Sequence, residues 1–158
     1  MRILILGVGN PIMGDDGVGI RVARMLKDKL RRRPDVEIKE LSVGGLKLVE
    51  EMLGYEEVYI VDSYSPPDAE PGRIRESTPD QFEDTLHPSS PHGTNFTVAL
   101  QLYRDFEPDR IPKRIMIFTV DIDPEFTFRE SMSAPVREAA STLTEQIARD
   151  IEQTLAPK

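Results

Sequence analysis

An uninterrupted apolar run, Ile3-Leu4-Ile5-Leu6, passes straight into Gly7-Val8-Gly9-Asn10-Pro11-Ile12-Met13-Gly14-Asp15-Asp16-Gly17-Val18-Gly19, and this junction constrains the fold most. The run has the length of a buried strand. Beyond the loop, Val18, Val22, Met25, Leu26 and Leu30 recur at the spacing of one helix face. The loop is therefore a strand-to-helix turn. In an open α/β sheet such turns lie along the carboxyl edge of the strands, where ligands bind, so Asp15 and Asp16 are expected at the rim of a site.

The remainder repeats the alternation. Pro34 closes the first helix, and Val36 to Glu40 alternates like a half-exposed strand. After the Gly44-Gly45 turn, Leu46, Val49, Met52 and Leu53 mark a short amphipathic helix closed by Gly54. Val58-Tyr59-Ile60-Val61 is a second buried run, ending in Asp62-Ser63 and followed by Pro66-Pro67. From Ser63 to His92 the chain is irregular, with a strand expected at Arg73 to Glu76. Thr78-Pro79-Asp80-Gln81 reads as a capping box with proline at the first helical position, opening a short helix through about Leu86. Helical spacing resumes with Val98, Ala99, Leu102, Tyr103 and Phe106. Ile115 to Val120 is a third buried strand, and a last helix starts at about Pro135, with Val136, Ala139, Ala140, Leu143, Ile147 and Ile151 as its stripe. Strands alternating with helices predict an α/β fold: a three-layer α/β/α sandwich around a mostly parallel sheet, in a single domain over residues 1–158.

Composition narrows the chemistry. The chain has no cysteine, which removes disulfides, thiolate metal sites and cysteine nucleophiles; any metal must be held by oxygen and imidazole. A net charge of -8 argues against a nucleic-acid groove. The basic run Lys27, Lys29, Arg31, Arg32 and Arg33 falls at the end of the first helix, where cations complement the dipole, and reads as a solvated helix end. No apolar run is long enough to cross a bilayer, and the first strand begins without a leader-like segment, so a cytoplasmic protein with no membrane partner is expected.

Acids at a helix N-terminus are commonly stabilised by the dipole and by unpaired amides. Two in succession cannot both cap, and the flanking Gly14 and Gly17 permit close approach of another molecule. Asp62 stands at the end of a buried strand. His92, one of two histidines, lies in a Ser-Pro-His-Gly loop, whereas His87 sits at a helix end. Asp16, Asp62 and His92 all fall where an element begins or ends at one sheet edge. Two carboxylates and an imidazole suit a borderline divalent ion such as nickel or zinc, with a coordination position left for substrate or water. A dinucleotide site fits poorly: Gly7 and Gly9 begin the fingerprint, but Ile12 holds its third glycine position, and Asp15 and Asp16 would repel a pyrophosphate, leaving Glu40 as the ribose acid without its loop. Neither Gly-x-Ser-x-Gly nor His-Glu-x-x-His occurs.

The opening motif, with Gly7-Val8-Gly9-Asn10-Pro11 and Asp15-Asp16-Gly17-Val18-Gly19, then Val61-Asp62-Ser63 and Ser90-Pro91-His92, resembles the hydrogenase maturation protease family over nearly the whole chain. These endopeptidases remove the C-terminal extension from the large subunit of nickel-iron hydrogenases. The resemblance implies an α/β/α fold, a large-subunit precursor as partner, and a metal-contacting trio that maps onto Asp16, Asp62 and His92. It further implies nickel supplied by the substrate, with no organic cofactor. A substrate-borne cation bridging the trio would pin the scissile bond; His92 must be neutral to bind it, so activity should fall on acidification. Some members carry Glu at the position of Asp16. Ser131-Met132-Ser133-Ala134-Pro135 departs from the Gly-Leu-Ser-Pro type of sequence associated with the start of the last helix. The competing expectation, from another class, is a non-catalytic checkpoint or nickel-site chaperone that holds the immature subunit; a third is a metallohydrolase with its own ion.

Overall fold

The computed structural model describes residues 1–12, 14–42, 44–84, 96–123 and 131–158. Five strands form one sheet: β1 (Ile3–Val8), β2 (Val36–Leu41), β3 (Glu57–Tyr64), β4 (Ile74–Ser77) and β5 (Arg114–Asp121). Their order is β2-β1-β3-β5-β4; every pair is parallel except β4 with β5. The helices are α1 (Val18–Lys29), α2 (Leu46–Met52), α3 (Pro79–Asp84), α4 (Phe96–Phe106) and α5 (Ala134–Thr154).

Strand alternation divides the core in two. Ile3, Ile5, Tyr59, Val61, Phe118 and Val120 face α1 and α5, while Leu4, Leu6, Val8, Val58, Ile60, Ile115 and Ile117 face α2 and α4. Sheet faces covered on both sides explain why β1 reads as continuously apolar. The expected α/β/α sandwich is what forms.

The chain passes from β1 through α1 to β2 on one side, then returns to β3 on the other side of β1. The crevice between the carboxyl ends of β1 and β3 is thus the point where strand order reverses. Glycine lets α1 close onto it. A Cβ on Gly19 would run into the carbonyl oxygens of Val8 and Val61, and one on Gly7 into the backbone of Gly19. The glycines that began a dinucleotide fingerprint are occupied by the protein's own backbone. Glu40 is likewise engaged: Arg24 Nε and Nη2 donate to its two carboxylate oxygens at 3.0 and 3.2 Å, and Lys27 Nζ adds a third bond at 3.2 Å. Arg24 and then Lys27 hold this carboxyl below its usual range.

Several details differ from the sequence reading. β3 does not stop at Val61; parallel pairing with β5 carries it on, with Asp62 opposite Thr119 and Tyr64 opposite Asp121. The basic run is exposed but engaged, since Lys29 meets Glu145 at 2.6 Å and Arg33 pairs with Glu152, both on α5. On α4 the buried residues are Phe96, Ala99 and Leu100, whereas Val98, Leu102 and Phe106 are 70, 48 and 78% exposed. Both sets have helical spacing, and only the sheet beneath selects between them. The capping box at Thr78 does form: its N–H donates to Gln81 Oε1 at 3.0 Å, and the Gln81 N–H to Thr78 Oγ1 at 3.5 Å. Residues 85 and 86 of that helix lie outside the described residues.

Candidate active site at the carboxyl edge

The loop after β1 closes into a 3-10 turn, Gly14–Gly17, that carries both acids of the opening motif. They have different surroundings. Asp15 reaches across to the start of α5, where its Oδ1 accepts the Ser133 N–H at 2.7 Å and its Oδ2 the Ser133 hydroxyl at 2.8 Å. Its two bonds tie the turn to the last helix. Gly17, expected to admit another molecule, packs on the chain itself, with a Cβ there 3.1 Å from Pro11 Cα.

Asp16 turns inward and is only 4% exposed. The Asn10 N–H donates to its Oδ2 at 3.2 Å, and the Ser63 hydroxyl to its Oδ1 at 2.6 Å. Ser63 also donates its backbone N–H to Asp62 Oδ1 at 2.8 Å. One serine, 2% exposed, therefore bridges two carboxylates that lie 46 positions apart, and Asp62 itself is 6% exposed. This unites Asp16 and Asp62 across the crevice between β1 and β3. His92, the third expected member, lies outside the described residues, as does His87. Among the described residues no group of three acids, histidines or cysteines comes together.

Asp16 and Asp62 are both buried, and burial costs a charged carboxylate the hydration that water would supply. Hydrogen bonds from Asn10 and Ser63 offset part of that penalty, and a divalent cation between the acids would remove more of it. Chemically, the pair can share a cation, or one member can take a proton from a water molecule. Ser63 and Asn10 were given no role from the sequence, because a lone hydroxyl or backbone amide carries no periodic mark. Both nevertheless stand in the motifs that carry the family resemblance, Ser63 directly after Asp62 and Asn10 directly after Gly9.

Among the described residues no helix is long and apolar enough to cross a membrane. A family model described as hydrogenase maturation protease matches residues 20–150. Asp62 and His92 fall inside that span, and Asp16 lies just ahead of it. The chain is 25% identical over 146 residues to the hydrogenase 2 maturation protease of Escherichia coli K12, covering 88% of this chain and 86% of that protein. Its fold superposes on the hydrogenase maturating endopeptidase HybD from E. coli with a TM-score of 0.79 at 22% identity, over 98% of this chain and 94% of that one. The [NiFe] hydrogenase maturation protease HycI from Thermococcus kodakarensis KOD1 gives a TM-score of 0.69 at 27% identity, over 94% and 90% of the two chains. With a family model spanning most of its length and the same sandwich in its structural relatives, this chain belongs to the hydrogenase maturation protease family.

Proposed function

We propose that this protein is a cytoplasmic endopeptidase that removes the C-terminal extension of a nickel-iron hydrogenase large-subunit precursor after nickel has been inserted. Asp16, Asp62 and His92 contact the nickel, which arrives as part of the substrate. The observation that best supports the site is the Ser63 bridge, which holds Asp16 and Asp62 together at the crevice where such folds bind ligands.

In this reading the acids act first by position. A cation held between them fixes the adjoining peptide bond, so that attack by water becomes a step within an assembled complex. Hydrolysis adds the water oxygen to the carbonyl carbon, breaks the carbon–nitrogen bond and delivers a proton to the leaving amine. Asp16 or Asp62 takes the proton from the attacking water and returns it to that amine. Without the cation the two acids have nothing to bridge, and the precursor is left uncut.

The test is to incubate the pure protein with nickel-loaded and nickel-free precursor and weigh the products. Only the loaded precursor should lose the mass of its extension. An intact loaded precursor, retained in a stable complex, would point instead to a checkpoint protein. Shortening of both would remove nickel from the mechanism. Tight stoichiometric metal in the purified protein, with turnover of small peptides, would identify a hydrolase with its own ion.

A further inference from the structure

A line drawn across the sheet from Asp62 meets Thr119 on β5 and then Arg75 on β4, because Asp62 pairs with Thr119 and Thr119 with Arg75. Paired residues point to the same face. That face is the one whose lower half is covered by α2 and α4, through Ile60 and Ile117. Toward the β4 end of that line lies a cavity of about 720 Å³, whose lining includes Tyr64, Pro66, Asp68, Arg75, Ser77 and Thr119, with Gln81 of α3 beside it. Its floor is sheet, and Pro66 and Gln81 come from the segments on either side of β4.

Arg75 is held rigidly at the far end. Its Nε and Nη2 donate to Asp121 at 2.8 and 3.0 Å, and its guanidinium lies over the Tyr64 ring at 5.3 Å from the centroid. Asp121 is fully buried, and among the described residues this ion pair anchors the arginine through Nε and Nη2, so that Nη1 can donate to a guest. A fixed donor, two hydroxyls, an aromatic ring and a proline suit the carbonyls and side chains of an extended peptide, and the carboxylates of Asp68 and Glu76 can accept from its amides.

We propose that this groove receives the C-terminal extension of the precursor, in extended form, as it leaves the bond to be cut beside Asp62. The proposal rests on the function proposed above. Of the two sides of the scissile bond, the extension is the one that ends freely and so can lie along a surface channel, while the other side belongs to the folded subunit. Two strand spacings separate Asp62 from the β4 line, about 10 Å, which an extended chain crosses in about three residues. Arg75 Nη1 then meets a main-chain carbonyl about three positions beyond the cleaved bond.

Because the protein has no cysteine, Ser77→Cys introduces a single thiol for a benzophenone maleimide. Illuminated with nickel-loaded precursor during the first turnover, the label should cross-link to the extension near the third residue past the cut, as mapped by mass spectrometry. Cross-links confined to the folded subunit, or none, would overturn the groove assignment. In parallel, Ser77→Phe should fill the channel and raise KM for the precursor about tenfold with kcat retained; an unchanged KM also overturns it. The unlabelled wild type serves as the separate control. If it processes the precursor while the label misses the extension, the groove is wrong and the proposed function stands; if it fails to process while the label still maps to the extension, the enzymatic reading falls and the groove stands.

Discussion

The two ends of the sheet differ in what their polar groups join. At the amino edge, Tyr59 donates its hydroxyl to Asp150 at 2.8 Å and accepts from Arg114 at 3.0 Å. Arg114 also donates to Glu57 and Asp150, each at 3.2 Å. One guanidinium serves two acids there, and the cluster joins β3, β5 and α5. At the carboxyl edge, the donors to Asp16 include the Asn10 amide and the Ser63 hydroxyl, and Asp62 accepts from the amide of the same serine. The amino edge is finished chemistry that holds the layers together. The carboxyl edge brings together acids from the β1–α1 turn and from β3, at the crevice where the proposed substrate would dock.

The sharpest way to break this contrast is at the acids. Asp16→Asn and Asp62→Asn should each lower precursor processing at least about a hundredfold through lost positioning. Their melting temperatures should stay close to that of the wild type; a large drop in stability would mean that these acids are structural. Ser63→Ala removes one hydrogen bond to Asp16 and leaves the amide bond to Asp62, so kcat should fall about tenfold, equivalent to about 1.4 kcal/mol. Normal turnover in that variant would show that the bridge does not orient the acids.

At the amino edge the effects should be on stability alone. Tyr59→Phe leaves Asp150 and Arg114 without their shared hydroxyl and should cost about 1 kcal/mol in denaturant unfolding, with activity per folded molecule unchanged. Burial, and then the bond to Asp150, push the Tyr59 phenol above its ordinary value. An unfolded chain ionises this tyrosine near pH 10 while the folded chain keeps its proton, so the stabilisation is complete below about pH 10 and declines as pH rises above it. Unfolding measured across that range should show a steeper alkaline loss in the wild type than in Tyr59→Phe. The smallest effect belongs to Lys29→Ala, which breaks one exposed pair with Glu145 and should change stability by less than about 1 kcal/mol.

Much of this was legible in the residues, for reasons that differ by element. β1 and the central part of β3 are apolar on every residue because both faces are covered, which no other arrangement of four to six residues requires as strongly. Asp16 and Asp62 were visible because polar groups at the margins of such runs gain nothing from packing. α4 was visible as a helix but not in its orientation: Val98, Leu102 and Phe106 form as good a stripe as Phe96, Ala99 and Leu100. The end of β3 was misjudged because Asp62 looks like a terminator, and only the partner strand β5 reveals that the ladder continues.

Periodicity, glycine placement and the absence of cysteine by themselves determined the sandwich, the turn that carries the acids and the kind of ligand atoms available, since each of these follows from local geometry or from chemistry that a residue brings with it. The meeting of Ser63 with Asp16, the tether from Asp15 to Ser133 and the line from Asp62 to Arg75 depend on strand order and register. Those are properties of how distant segments pack, and hydrogen bonds a few ångströms long exist only after the layers have closed.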